Sequence, residues 1–226
     1  MYFYDWTIIL ILPGLLLGVY AQFKVKSAYA KYAKVSTSRG VTADDVCRDM
    51  LSKGAKMPVS VEPIQGNLTD NFDPRSNTLK LSQGVYGSAS IAAVGIAAHE
   101  CGHALQQSDA YKPLMMRTAI VPVVKFGSVA YFPIFLIGLL VSWEPLLYAG
   151  IICFAATFVF SLVTLPVEFN ASKRALAMLQ SGGYMTQEEL NGVHAVLSAA
   201  ALTYVAAAVS SLLQLLRLLL IANRRR

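Results

Sequence analysis

The sequence predicts a mainly α-helical membrane protein that carries a small water-facing unit between its apolar helices. Two observations predict this. Hydrophobic residues make up 55% of the 226 and charged residues only 14%, with a mean hydropathy of +0.51, which is too apolar for an ordinary soluble protein. The apolar residues also gather into runs of about 20, the length that crosses a bilayer, while the stretches between them carry the caps and turns of a soluble fold. A net charge of +6 does not mark a nucleic-acid binder. No basic stripe interleaved with aromatics is present, and Lys and Arg flank the apolar runs instead, where membrane topology accounts for them.

The first segment, residues 1–23, is read as a transmembrane anchor. Its run from Trp6 to Phe23 is apolar, with Trp6 and Tyr20 suited to the interfaces. A cleaved signal peptide is the competing reading, but the start supplies no basic residues. Lys24, Lys26, Lys31, Lys34 and Arg39 follow the run and place that side in the cytoplasm.

Residues 24–118 form the expected soluble part. Thr42 and Asp45 make a capping box for a short amphipathic helix that Gly54 ends. Residues 59–64 and 78–82 read as two short strands separated by turn formers, giving a small β-hairpin. In the second strand Thr78, Lys80 and Ser82 are expected to point outward, alternating with Leu79 and Leu81. Lying just before the motif helix, that strand is either a plain cover for the core or an edge on which an extended peptide adds itself.

The helix expected over residues 89–107 contains AAHECGHALQ. Positions four apart lie one above the other on a helix, so His99 and His103 can offer two imidazole nitrogens to one metal ion. Glu100 beside them is a carboxylate able to take a proton from a metal-bound water, the chemistry of a zinc peptidase. The spacing also arises by chance on a polar helix face, so its weight comes from context. Gly95 and Gly102 inside this helix call for close approach by another backbone or a substrate. Gln106, Gln107, Ser108 and Asp109 form its polar exit. The odd set of Cys47, Cys101 and Cys153 fits no zinc knuckle or disulfide framework, and reads as small apolar residues in a reducing compartment.

Residues 119–165 form a transmembrane hairpin, apolar from Ile120 to Ser142 and again from Leu146 to Leu165, with kinks expected at Pro122 and Pro133. Residues 166–226 begin with a helix from about Pro166 to the Gly182–Gly183 stop. Glu168 emerges there on the side of the motif helix. It reads either as the carboxylate that completes a His₂Glu zinc site or as an interfacial acid paired with Lys173 or Arg174. Thr186 and Glu189 cap a last helix that runs toward Ala222. Its apolar half is long enough to span, yet Arg224, Arg225 and Arg226 would then end outside, against the positive-inside rule. Packing in the catalytic unit is the other arrangement, and both stay open.

With these residues in place, the chain resembles the YugP-type bacterial membrane zinc metallopeptidases over nearly its whole length, through LTDNFDPRSNTLKLS, IAAHECGHALQ, LPVEFNASKRAL and AAALTYVAA. It is more distantly similar to the heat-shock membrane proteases and CAAX prenyl proteases, in which a transmembrane hairpin separates HExxH from an E-F/Y-x-A-D motif. That motif reads Glu168-Phe169-Asn170-Ala171-Ser172 here, so the supporting aspartate is replaced by Ser172 and is missing or supplied elsewhere. The resemblance implies a zincin-like catalytic unit of the gluzincin type, with Zn²⁺ on His99, His103 and Glu168 and with Glu100 as base. Tyr204, His194 and Asn170 are further candidates for contacts to the transition state or to the ligands.

The expectation is a membrane-anchored zinc endopeptidase that hydrolyses peptide bonds through a zinc-activated water at the cytoplasmic membrane surface. It would be a multi-pass protein of the bacterial plasma membrane acting on a peptide or membrane-protein substrate, with the lipid bilayer and no nucleic acid as its surroundings. Oligomeric state is not legible. Two rivals differ in class: a non-catalytic scaffold or assembly partner with a closed structural metal site, and an intramembrane-cleaving metalloprotease.

Overall fold

The computed structural model describes residues 6–223, so the arginines at 224–226 lie outside the described residues. A 3₁₀ turn at Trp6–Leu10 leads into α1 (Ile11–Tyr32). Then come α2 (Ala43–Gly54), the strands β1 (Ser60–Ile64), β2 (Asn71–Asp73) and β3 (Thr78–Ser82), and α3 (Ile91–Ser108). Three long helices follow: α4 (Lys112–Leu140), α5 (Glu144–Ser181) and α6 (Gln187–Asn223). The mainly helical fold with a small sheet is as the sequence predicts.

Among the described residues, four helices are long and apolar enough to cross a membrane: Trp6–Tyr32, Lys112–Leu140, Glu144–Ser181 and Gln187–Asn223. One of them differs from expectation. Pro166 lacks the N–H of a helix interior, but α5 runs through it unbroken, so the second arm of the hairpin and the helix carrying Glu168 are one element. α6 is one helix as expected, opened by the expected capping box: Glu189 N donates to Thr186 Oγ1 at 3.3 Å and Thr186 N to Glu189 Oε2 at 2.7 Å.

The described residues fall into two compact units. One holds those up to Gln22, Met116–Pro166 and those from Leu202 onward. Its core gathers Phe135 of α4, Leu147, Ile151 and Phe154 of α5, and Leu218 and Ala222 of α6. Small residues let these helices approach: a Cβ at Gly127 would stand 2.5 Å from the carbonyl oxygen of Cys153. Leu16, Phe126, Val129 and Ile152 remain exposed, a surface suited to lipid.

The other unit comprises Phe23–Met115 and Val167–Ala201. Its core joins Val46, Met50 and Leu51 of α2, Leu79 and Leu81 of β3, Val94 and Ala98 of α3, Leu179 of α5 and Val193 of α6. Thr42 caps α2 as expected, accepting from Asp45 N. Ser90 caps α3, its side chain accepting from Ala93 N at 3.2 Å.

The sheet differs from the expected hairpin. A third strand, β2, forms inside the stretch of turn formers, and the order is β1-β3-β2. β1 pairs parallel with β3 from Ser60↔Thr78 to Ile64↔Ser82, while β2 pairs antiparallel with it. Thr78, Leu79, Lys80, Leu81 and Ser82 therefore form the central strand, not an edge. Thr78 and Ser82 are buried rather than outward, because Ser60 and Asp70 satisfy their hydroxyls: Ser60 Oγ donates to Thr78 Oγ1, and Ser82 Oγ donates to Asp70 Oδ2 at 2.9 Å.

Gly102 sets the spacing of α3 and α5. A Cβ there would stand 2.5 Å from the carbonyl oxygen of Ala171, with backbone rather than a movable side chain in the way. Gly102→Ala should therefore destabilise the protein by about 1–3 kcal/mol despite the better helix propensity of Ala. Gly18→Ala, inside α1 with nothing within 4 Å of the new atom, should not destabilise it and should gain up to about 1 kcal/mol from helix propensity. Thermal denaturation in detergent measures both.

Candidate metal centre

His99 and His103 lie one turn apart on α3, and the close passage of α5 at Gly102 brings Glu168 opposite them. One oxygen, Glu168 Oε2, lies 3.3 Å from His99 Nε2 and 3.6 Å from His103 Nε2. The ligand atoms of the three residues all fall within 4.8 Å of one another. Zinc bonds of about 2.0–2.1 Å in tetrahedral geometry imply ligand-to-ligand edges of about 3.3–3.4 Å. The two carboxylate–imidazole edges match that size, so the donor set fits a zinc ion. The rings meet at 86° with centroids 4.8 Å apart, an edge-on arrangement that lets both nitrogens aim at one point.

Glu168 is 2% exposed, and a carboxylate that deeply buried needs positive charge nearby. At His103, burial favours the neutral ring, but the hydrogen bond to Glu168 and the charges of Glu100 and Glu168 outweigh it and raise the pKa above the usual histidine value. The cluster thus attracts protons, and a metal ion binding there would displace them.

Each imidazole is held through its other nitrogen. His99 Nδ1 lies 3.1 Å from Ser172 Oγ, and His103 Nδ1 lies 3.1 Å from Gln106 Oε1. Ser172 therefore meets a histidine of the candidate cluster. Glu100 Oε2 accepts from the backbone N–H of Phe72 at 3.0 Å, which ties the candidate base to the outer side of β2.

Of the remaining candidates, Asn170 joins the site's surroundings: its Oδ1 accepts from Gln106 Nε2 at 3.0 Å. His194 does not. It is exposed, and its ring nitrogens lie 3.4 Å from Ser198 Oγ one turn along α6, outside the three-residue cluster. Tyr204 belongs to the other compact unit. Sequence reasoning missed Gln106, which it placed in the polar exit although the residue is fully buried. The signal was present in its position three residues after His103, on the same helix face. It also missed the Phe72 N–H, which no side-chain pattern announces.

His99→Ala and His103→Ala should each strip zinc from the purified protein, and Glu168→Gln should weaken its retention against a chelator. His194→Ala should retain zinc as the unsubstituted protein does. Elemental analysis after chelator equilibration checks all four.

No solved structure matches the chain. Among curated proteins it is 48% identical over 214 residues, covering 95% of each chain, to a protein of Bacillus subtilis (strain 168) named "Putative membrane protease YugP". With that relative and the four apolar helices, the chain is a membrane protein. A family model described as "Putative neutral zinc metallopeptidase" matches residues 7–223, a span that holds both histidines, Glu100 and Glu168, and the chain belongs to that family.

Proposed function

We propose that the protein is a multi-pass, membrane-anchored zinc endopeptidase that hydrolyses peptide bonds at the cytoplasmic surface of the plasma membrane. The observation that carries this reading is the set of three ligand atoms at zinc spacing with Glu100 beside them. Within the described residues the cluster holds three side chains, whereas a closed structural zinc takes four. This favours an open position for water over the scaffold reading. Zn²⁺ held by His99, His103 and Glu168 would supply an acidified water and polarise the substrate carbonyl.

Glu100 would accept a proton from the attacking water at its carboxylate and pass it to the leaving amine. Ser172 and Gln106 hold the two imidazoles in place while this happens. The substrate approaches as an extended strand along β2 rather than β3, since β3 is paired on both sides. The other edge is a poor template. Ser60 N–H points into the sheet at Asn77 O, so by strand alternation the nitrogen of Pro63, which has no hydrogen to donate, lies on the outer side of β1. At β2 the outward N–H of Phe72 is held by Glu100, so a peptide that displaces the carboxylate and pairs there presents its backbone to the base.

Cytoplasmic placement is supported by Lys24, Lys26, Lys31 and Lys34 after the first apolar run, and by Lys112, Arg117, Lys173 and Arg174 on either side of the hairpin. Proximity to the bilayer is supported by Glu168, which follows the apolar run of α5 by three residues.

Glu100→Gln should lower peptide hydrolysis by a factor of about 10² or more while the variant still binds zinc, because His99, His103 and Glu168 are untouched. The check is mass-spectrometric cleavage of a peptide library, run beside zinc analysis. Continued cleavage by the zinc-loaded variant would remove Glu100 from the mechanism.

A further inference from the structure

Gln106 is fully buried and makes three hydrogen bonds. Its Oε1 meets His103 Nδ1 at 3.1 Å, and its Nε2 donates to Val167 O at 2.8 Å and to Asn170 Oδ1 at 3.0 Å. A backbone carbonyl can only accept, so the atom facing Val167 must be the amide nitrogen. The atom facing His103 is then the amide oxygen, which also can only accept. It follows that His103 carries a proton on Nδ1, so that in the neutral ring Nε2, on the Glu168 side, is the nitrogen left to take a metal ion.

The same logic fixes the next link. Arg174 Nε can only donate, and it meets Asn170 Oδ1 at 2.9 Å. Asn170 is thereby held with its oxygen toward both Arg174 and Gln106. Arg174 is anchored in turn by Asp109 at 2.6 Å, and Asp109 by Lys56 at 2.9 Å. An obligate acceptor at one end and an obligate donor at the other leave neither amide free to flip. His99 has no such lock, since the Ser172 hydroxyl that meets it can donate or accept.

We propose that Gln106 is a positioning residue that fixes the metal-binding tautomer of His103, and that Asn170 and Arg174 hold Gln106 in the required orientation. This rests on the reading of His103 as a metal ligand. An outer partner of a metal-bound histidine is typically worth 10–100-fold in metal affinity.

The test is the zinc dissociation constant of the purified full-length chain, measured by competition with a chromogenic chelator, with thermal stability of the metal-free form recorded alongside. Gln106→Met keeps the side-chain shape and removes the acceptor; it should weaken zinc binding by about 10–100-fold. Gln106→Glu keeps an acceptor for Nδ1–H and loses the donors to Val167 and Asn170; it should bind zinc nearly as tightly as the unsubstituted chain even where its stability falls. If Gln106 only cross-links α3 and α5, both variants lose affinity in step with stability, and the inference is overturned. Unchanged affinity in Gln106→Met overturns it as well. Should Gln106→Met not fold, Asn170→Ala takes its place, with a smaller loss of affinity expected and no loss overturning the inference. If the unsubstituted chain binds zinc no more tightly than His103→Ala, the reading of the site itself falls.

Discussion

The candidate metal centre depends on the contact between α3 and α5 at Gly102. Two histidines on one helix supply half of a tetrahedral site, and the third donor must come from another element held at the right distance. Here the carbonyl oxygen of Ala171 occupies the space that a Cβ on residue 102 would need. Glu168 and Ser172 flank Ala171 on α5, so the same close passage delivers the carboxylate to both Nε2 atoms and the hydroxyl to His99 Nδ1. Gln106 then bridges the two helices one turn further along. A glycine that would weaken an isolated helix therefore serves as the spacer of the site.

Burial gives this contact its chemical consequence. Glu168 is withdrawn from water beside two imidazoles whose remaining nitrogens are already engaged, so the free donor atoms converge on a single point. Such a group favours a cation there, and its outer partners restrict how the rings can turn. Glu100, one residue from His99, stays outside the three-donor group and is held by the backbone of β2. The proposed division between groups that would bind the metal and a group that would move protons rests on which side of α3 each residue occupies.

Much of this is legible in the sequence because it is local. The four-residue spacing of His99 and His103, the capping boxes at Thr42 and Thr186 and the long apolar runs are properties of single segments. Glu168 could be singled out because an apolar hairpin brings its segment back toward the motif. What stays hidden depends on partners distant in the chain. The three-residue β2 lies in a stretch of turn formers and exists only because β3 offers it a ladder. Ser82 looks like a surface residue until Asp70 is placed against it. Gln106 looks like part of a polar exit until α5 covers it, and Pro166 looks like a helix boundary although α5 continues through it.

The central claim is that His99, His103 and Glu168 form an open, three-donor zinc site. X-ray absorption at the zinc edge on the purified, zinc-loaded protein tests it most directly. The account predicts two imidazole nitrogens, one carboxylate oxygen and one exchangeable oxygen from solvent, at about 2.0–2.1 Å. A sulfur in the shell, or four donors all supplied by the protein, would contradict it.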